Sequence, residues 1–160
     1  MNQRGYIDSI GELRGMLAIL LGFLFLTSFH SSGEQARWSA MDDSFNERFA
    51  PFKNNPIGLK DHAISLRGRA LETGDCDLAL VAQSLQLRAL MMLREAPPLE
   101  LLRVDPFVDC NTEYPRLAYD IGCFLIARDS IEAAEKRLLQ ATKMPTWASH
   151  AWNMIGSARM

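Results

Sequence analysis

The chain has 160 residues, of which 48% are hydrophobic and 22% charged, an ordinary composition that leaves room for one small domain and an anchor. The formal net charge is -2 and no long block of Lys or Arg is present, which argues against a nucleic-acid partner. Cys76, Cys110 and Cys123 form neither a CxxC motif nor a zinc-like cluster, so neither a thioredoxin-type redox site nor a haem attachment is indicated.

An apolar run near the amino terminus is the strongest single signal in the sequence. Residues 1–14 are mixed polar, and residues 15–29 carry no charge. A membrane-spanning helix needs about 20 apolar residues, so the run reaches that length only if its polar end up to Ser32 is included. No A-x-A cleavage site follows it. We expect a single transmembrane anchor over residues 15–32; a cleaved signal peptide and a buried helix are the alternatives.

The distribution of positive charge predicts the orientation of this anchor. Arg4 and Arg14 precede it, whereas Arg37 is the one basic residue that follows closely. Because the more positive flank usually stays in the cytoplasm, we expect a cytoplasmic amino terminus and a periplasmic or lumenal domain from Ser31 onward. Disulfides are permitted there. The three cysteines then allow one bridge and one free thiol, and the sequence does not select the pair.

An aromatic helical face follows the anchor, within a predicted juxtamembrane amphipathic helix and linker over residues 33–60. Its apolar side chains recur at steps of three and four residues: Trp38, Met41, Phe45, Phe49 and Phe52. One interpretation is a surface for a membrane or a partner, with Trp38, Phe45 and Phe49 as contact residues. The other is packing against the following domain. Pro51 is expected to end the helix.

A helical hairpin is predicted at the start of the domain assigned to residues 61–160. One helix should run from Asp61 to Leu71, a turn should lie at Gly74-Asp75, and a second helix should run from Asp77 to Leu93. Arg88 interrupts the apolar run of the second helix. We therefore expect a largely buried helix there and no second membrane span.

An irregular connector is expected over residues 95–114, which contain Pro97, Pro98 and Pro106. Only a short helix is predicted in it, between Leu99 and Val104. Irregular connections often carry function, so a groove or ligand site in this segment and a simple spacer are the two interpretations.

A spacing of 34 residues organises the carboxy-terminal part of the chain. Ile121-Gly122 recurs as Ile155-Gly156, and Ala118 corresponds in the same way to Trp152. Between them, a second helix carries Ala134, Leu138 and Ala141 on one face, at steps of four and three residues.

The residues around this spacing predict how the helices are delimited and packed. Gly122, without a side chain, should lie where two helices cross, opposite Ala134. Asp129 and Glu132 have the spacing of a capping box for the second helix. Pro145 should stop that helix, because proline lacks the N–H of the helical ladder. Trp152 should begin the next one.

These residues resemble a tetratricopeptide repeat, fairly specifically over Pro115 to Gly156 and more weakly over Asp61 to Leu93. Asp129 departs from the pattern, since the repeat often has glycine there. The resemblance implies an all-α fold of helix-turn-helix pairs that binds partners on a concave surface of the first helices. On those helices, Tyr119, Phe124 and Asn153 are the side chains that the pattern does not assign to packing, so we expect them to contact a partner.

No nucleophile, nucleotide-binding or metal-ligand motif is present, so we expect no enzyme, no cofactor, no metal and no small-molecule substrate. The predicted function is a membrane-anchored protein-protein interaction scaffold or accessory subunit of a membrane complex, its partners being the membrane and other subunits. The apolar face from Trp147 to Ile155 is expected to be completed by another protein. The alternatives are a structural subunit that packs through its transmembrane helix, and a secreted helical binding protein.

Overall fold

The computed structural model of the chain describes residues 32–102 and 113–159. These residues form helices, turns and loops, and no strand occurs among them, so the predicted all-α class is confirmed.

The chain divides into two compact units, Met1–Arg37 and Trp38–Met160. Residues 32–37 of the first unit are helical and exposed. The predicted anchor, apart from Ser32, lies outside the described residues.

The described part of the second unit is an array of α-helices with two short 3-10 helices. Its α-helices are α1 (residues 38–49), α2 (Pro56–Thr73), α3 (Cys76–Leu93), α4 (Pro115–Ala127), α5 (Ile131–Ala141) and α6 (Pro145–Ala158). The 3-10 helices are Ala50–Phe52, after α1, and Leu99–Leu102, in the connector.

Local signals delimit the α2–α3 hairpin. The Asn55 side chain accepts a hydrogen bond from the N–H of Gly58, and Pro56 occupies the first turn, so α2 begins before the predicted Asp61. Gly74 ends it with a left-handed φ of 68°, which glycine adopts without steric cost. Asp75 then caps α3 by accepting from the N–H of Leu78. The predicted turn at Gly74-Asp75 is confirmed.

Helix α3 is the central helix of the unit, and α2 and α4 pack against it. Ten of its residues are buried, including Gln83, whose amide donates to the carbonyl of Leu101 at 2.8 Å. Among the described helices, α3 alone is long and apolar enough to cross a membrane, yet 56% of its apolar stretch is buried inside the chain. The prediction of a largely buried helix is confirmed.

The crossing of α4 and α5 is as close as the sequence predicts. A Cβ atom at Gly122 would lie 2.7 Å from Cγ of Leu138 and 3.4 Å from the carbonyl oxygen of Ala134. The predicted inner face of α5 is buried, and Ala118, Ala151 and Ile155 join it in a second small core that includes α6.

Three expectations about the helix ends are wrong. Asp129 does not cap α5: it has a φ of 58° and closes the end of α4, its N–H bonding to the carbonyl of Ile126. The N-cap of α5 is Ser130, which makes no capping side-chain hydrogen bond. Pro145 does not stop α5, which already ends at Ala141, but is the first residue of α6. Trp152 therefore lies in the middle of α6.

The aromatic face of α1 packs inward. Trp38, Met41 and Phe45 are buried in the main core, and Phe49 and Phe52 pack partly buried against it. The Trp38 indole N–H donates to the carbonyl of Glu113 at 2.8 Å. This arrangement agrees with the core-packing alternative stated for these residues.

Candidate functional site

A buried arginine joins α1, α4 and α6. Arg116 follows Pro115 in the first turn of α4, and its guanidinium carbon lies 3.3 Å from the ring centroid of Phe45 and 4.7 Å from that of Trp147. Phe49 extends the stack, its ring centroid 5.8 Å from that of Phe45. Such cation–π contacts strengthen when they are desolvated, as here.

Asp42 of α1 supplies the negative charge beside this arginine. One carboxylate oxygen lies 3.7 Å from Arg116 and accepts from the Tyr114 hydroxyl at 2.8 Å; the other accepts from the Trp147 indole N–H at 2.8 Å. Burial and the nearby carboxylate raise the pKa of Tyr114 well above its usual range, so the phenol remains a donor. The network therefore fixes three elements through charge-assisted hydrogen bonds.

A second polar contact links α3 and α4 around Asp120, which is fully buried. Its carboxylate accepts from the Ser84 hydroxyl and lies 3.4 Å from the Arg88 guanidinium. Burial raises the pKa of Asp120, while Arg88 and Ser84 act in the opposite direction. Arg88, which interrupts the apolar pattern of α3, is thus the counter-charge of a buried acid.

An aromatic cluster lies at the junction of α4 and α6. The ring centroids of Tyr119 and Trp147 are 5.2 Å apart, and His150 lies 6.3 Å from Tyr119 and 5.8 Å from Trp147. Tyr119 and Trp147 are half-buried and His150 is exposed. Trp147 also contacts Asp42 and Arg116, so the cluster is joined to the buried polar network through this side chain.

The open face of α6, formed by Trp152, Asn153 and Gly156, is exposed. Trp152 is 55% exposed, whereas Ala118, its counterpart on α4, is 4% exposed. Among the described residues, nothing lies within 4 Å of a Cβ placed at Gly156, while α5 fills the same position at Gly122. The face that α5 covers on α4 is therefore uncovered on α6.

A cavity of about 390 Å³ lies between the carboxy-terminal ends of α3 and α4 and the start of the connector. It is lined by Leu90, Met91, Arg94, Glu95, Ala96, Pro97, Cys123, Phe124, Ala127 and Arg128. The Arg128 guanidinium donates to the carbonyl of Pro97 at 2.7 Å, which ties the end of α4 to the connector.

Two of the three cysteines have defined states in the described residues. Cys76 is disulfide-bonded, and Cys123 is a free thiol. Burial raises the pKa of Cys123 to about 11, so the thiol is protonated at neutral pH and is a poor nucleophile. Cys110 lies outside the described residues.

The six residues predicted to contact a partner lie in different environments. Trp38, Phe45 and Phe124 are buried, and a buried side chain cannot meet a partner while this packing persists. Phe49 and Tyr119 are half-buried, and Asn153 is exposed on the open face of α6. Phe45, Phe49 and Tyr119 belong to one chain of stacked groups, whereas Phe124 lines the cavity.

Sequence reasoning gave no role to Asp42 or Arg116, and it named Trp147 only as part of an apolar face, not as a member of this network. A signal exists for Arg116, since it directly follows the proline that opens a mostly apolar helix. Asp42 sits one residue after Met41 and just outside the aromatic face, so it reads as an ordinary solvated acid.

The surface features described above are the aromatic cluster, the open face of α6 and the cavity between α3 and α4. Within residues 32–102 and 113–159, no group of three or more His, Cys, Asp or Glu side chains could hold a metal ion. No protein-family model matches the chain, and the comparisons with curated proteins and with solved structures gave no match either. The resemblance to tetratricopeptide repeats stays a prediction.

Proposed function

We propose that the chain is a membrane-anchored protein-protein interaction scaffold or accessory subunit of a membrane complex, and that its partner packs a helix on the open face of α6. The observation that carries the proposal is the contrast between two glycines. Leu138 packs against Gly122, whereas no residue of the described ranges packs against Gly156. Two positions related by the 34-residue spacing thus differ in whether a second helix covers them.

The residues on the open face suit a protein contact. Trp152 is large and about half exposed, and tryptophan is enriched among the residues that dominate binding energy at interfaces. Gly156 lies one turn further along α6, so a partner backbone could approach closely beside the indole. Asn153 adds a polar group at the edge.

The chain itself indicates the chemistry of the partner. On α4, the covering helix presents Ala134 and, four residues later, Leu138 toward Gly122. We therefore infer that the partner supplies an amphipathic helix with a small residue and a large aliphatic residue four positions apart. Such anchors are typical of helix recognition.

The disulfide supports the proposed location of the domain. Cys76 is disulfide-bonded, and structural disulfides persist in oxidising compartments such as a periplasm or a lumen. This agrees with an anchor over residues 15–32 and a cytoplasmic amino terminus, which are themselves part of the proposal.

The rival proposal is a structural subunit that packs through its transmembrane helix and the aromatic face of α1 against other membrane subunits, and its α1 part has less support. Trp38, Met41 and Phe45 are buried in the core of the unit itself. Using them for a partner would expose that core.

Affinity purification of the full-length chain from its native membrane in mild detergent tests the proposal. Gly156→Glu places a charged side chain on the open face; Gly68→Glu is the matched control, because nothing described lies within 4 Å of a Cβ at either glycine. We expect co-purifying subunits with the wild type and with Gly68→Glu and their loss with Gly156→Glu. Equal recovery from both variants would rule out the open face as the docking site.

A further inference from the structure

We propose that the cavity between α3 and α4 binds a small amphiphilic carboxylate, its apolar body inside and its anionic group at the arginine rim. The cavity volume of about 390 Å³ falls within the range of ligand sites, about 300–1,000 Å³. The proposal concerns a small ligand and does not depend on the docking of a partner helix.

The wall of the cavity is apolar on three sides. Leu90 and Met91 contribute from α3, Phe124 and Ala127 from α4, and Pro97 from the connector. Transfer of an alkyl group from water to such a surface is favourable. Of the connector, for which a ligand groove and a simple spacer are the two interpretations, Glu95, Ala96 and Pro97 line this cavity.

The charge at the rim selects an anion. Arg94 and Arg128 both line the cavity, and the one acid beside them, Glu95, is paired with Lys60. Two helices also end here, each with a partial negative charge of about half a unit, and the two full arginine charges exceed them. The planar guanidinium group matches the geometry of a carboxylate and can donate two parallel hydrogen bonds to it.

The backbone at the rim holds Arg94 in an unusual conformation. Its φ is 58°, the left-handed region that glycine usually occupies at the end of a helix. The N–H of Arg94 and that of Glu95 close the end of α3 through the carbonyls of Met91 and Leu90. This turn brings Arg94 to the end of α3, where it lines the cavity.

Protection of Cys123 measures occupancy directly, because this free thiol lines the cavity. Full-length chain in phospholipid nanodiscs is treated with N-ethylmaleimide in the presence of octanoate, octanol or octylammonium at equal concentration. We expect saturating octanoate to slow the labelling of Cys123 at least fivefold, and octylammonium to leave the rate unchanged.

Two arginine variants locate the recognition. Arg94→Gly keeps the left-handed turn and Arg128→Gln keeps a donor for the Pro97 carbonyl, so both variants should fold. Each substitution should raise the octanoate concentration that gives half-protection of Cys123 about tenfold. Arg159→Gln, whose arginine pairs with Glu135 outside the cavity, is the control and should change nothing. No protection by octanoate, equal protection by octanol, or stronger protection by octylammonium would each overturn the proposal.

Discussion

The indole N–H of Trp147 donates a hydrogen bond of 2.8 Å to the carboxylate of Asp42, which lies 105 positions earlier in the chain. The same carboxylate accepts from Tyr114 and pairs with Arg116. A single acidic side chain of α1 therefore holds the start of α4 and the first turns of α6 in place. The aromatic cluster at the surface depends on this contact, since Trp147 belongs to both.

Removing this carboxylate should destabilise the fold strongly. Asp42→Ala leaves Arg116 buried without its ion-pair partner and two donors unpaired, so we expect a loss of about 3 kcal/mol in the free energy of unfolding. Urea denaturation of the full-length chain measures it. The neighbouring Asp43→Ala, at an exposed position, should change stability by less than about 0.5 kcal/mol. Equal effects of the two substitutions would contradict this role of Asp42.

The crossing at Gly122 should not tolerate a methyl group. Gly122→Ala places Cβ within 2.7 Å of Leu138, and we expect a cost of about 1–3 kcal/mol despite the higher helix propensity of alanine. Gly68→Ala, where the added Cβ meets open space, should be neutral or stabilise by up to about 1 kcal/mol. Thermal or urea unfolding compares the two.

A double-mutant cycle distinguishes this crowding from a general effect of the substitution. Leu138→Ala alone removes a buried side chain and should cost about 2–5 kcal/mol. In the presence of Leu138→Ala, the further step from Gly122 to Ala should cost much less, because the clash is gone. Strictly additive costs would show that the two residues do not press on each other.

The reactivity of Cys123 should continue to rise with pH beyond the pH at which the reactivity of an ordinary thiol levels off. Burial raises its pKa from 9.0 to about 11, and only the thiolate attacks an alkylating agent. The labelling rate should therefore rise about tenfold per pH unit up to about pH 10, whereas the rate of glutathione levels off earlier. Because the folded-state pKa is the higher one, the fold should also lose stability as the pH rises from 9 toward 11. A plateau of the labelling rate near pH 9 would contradict the raised pKa of Cys123.

Cys76 and Cys123 should behave differently in the oxidised chain. Alkylation of chain denatured without reductant should label Cys123 and spare Cys76, which is disulfide-bonded. Mass spectrometry of tryptic peptides reads out both sites. When reductant is added before denaturation, the alkylating agent should label Cys76 as well. Reduction should also lower the free energy of unfolding by about 2–4 kcal/mol. Labelling of Cys76 without reductant would argue against the disulfide.

The sequence predicted the hairpins because their signals are local. Gly74 and Asp75 define a turn through backbone freedom and capping, and the Gly122–Leu138 crossing follows from helical spacing alone. The end of α4 could not be derived in the same way. Aspartate is a residue type that often caps helices, yet Asp129 lies in the left-handed turn that closes α4. The repeat often has glycine at this position, and glycine adopts such a turn readily.

The candidate site was harder to predict, because it depends on distant residues. The amphipathic pattern of α1 identifies an apolar face but does not state what covers it, so Phe45 fits a surface and a core equally well. Arg116 buries its charge only because Asp42 and two aromatic rings meet it from other helices. The exposure of Trp152 likewise follows from α5 covering α4 and no described helix covering α6 in the same way.

Site-specific photo-crosslinking in the native membrane tests the central claim most directly. A benzoylphenylalanine replaces Asn153 on the open face, and a second full-length variant carries it at Ser65, an exposed position of α2. The proposal predicts that position 153 crosslinks to a helix of a membrane subunit and that Gly156→Glu abolishes this crosslink. Position 65 should give no crosslink to that subunit. A crosslink to the same subunit from position 65 alone, or from neither position while the subunit still co-purifies, would contradict it.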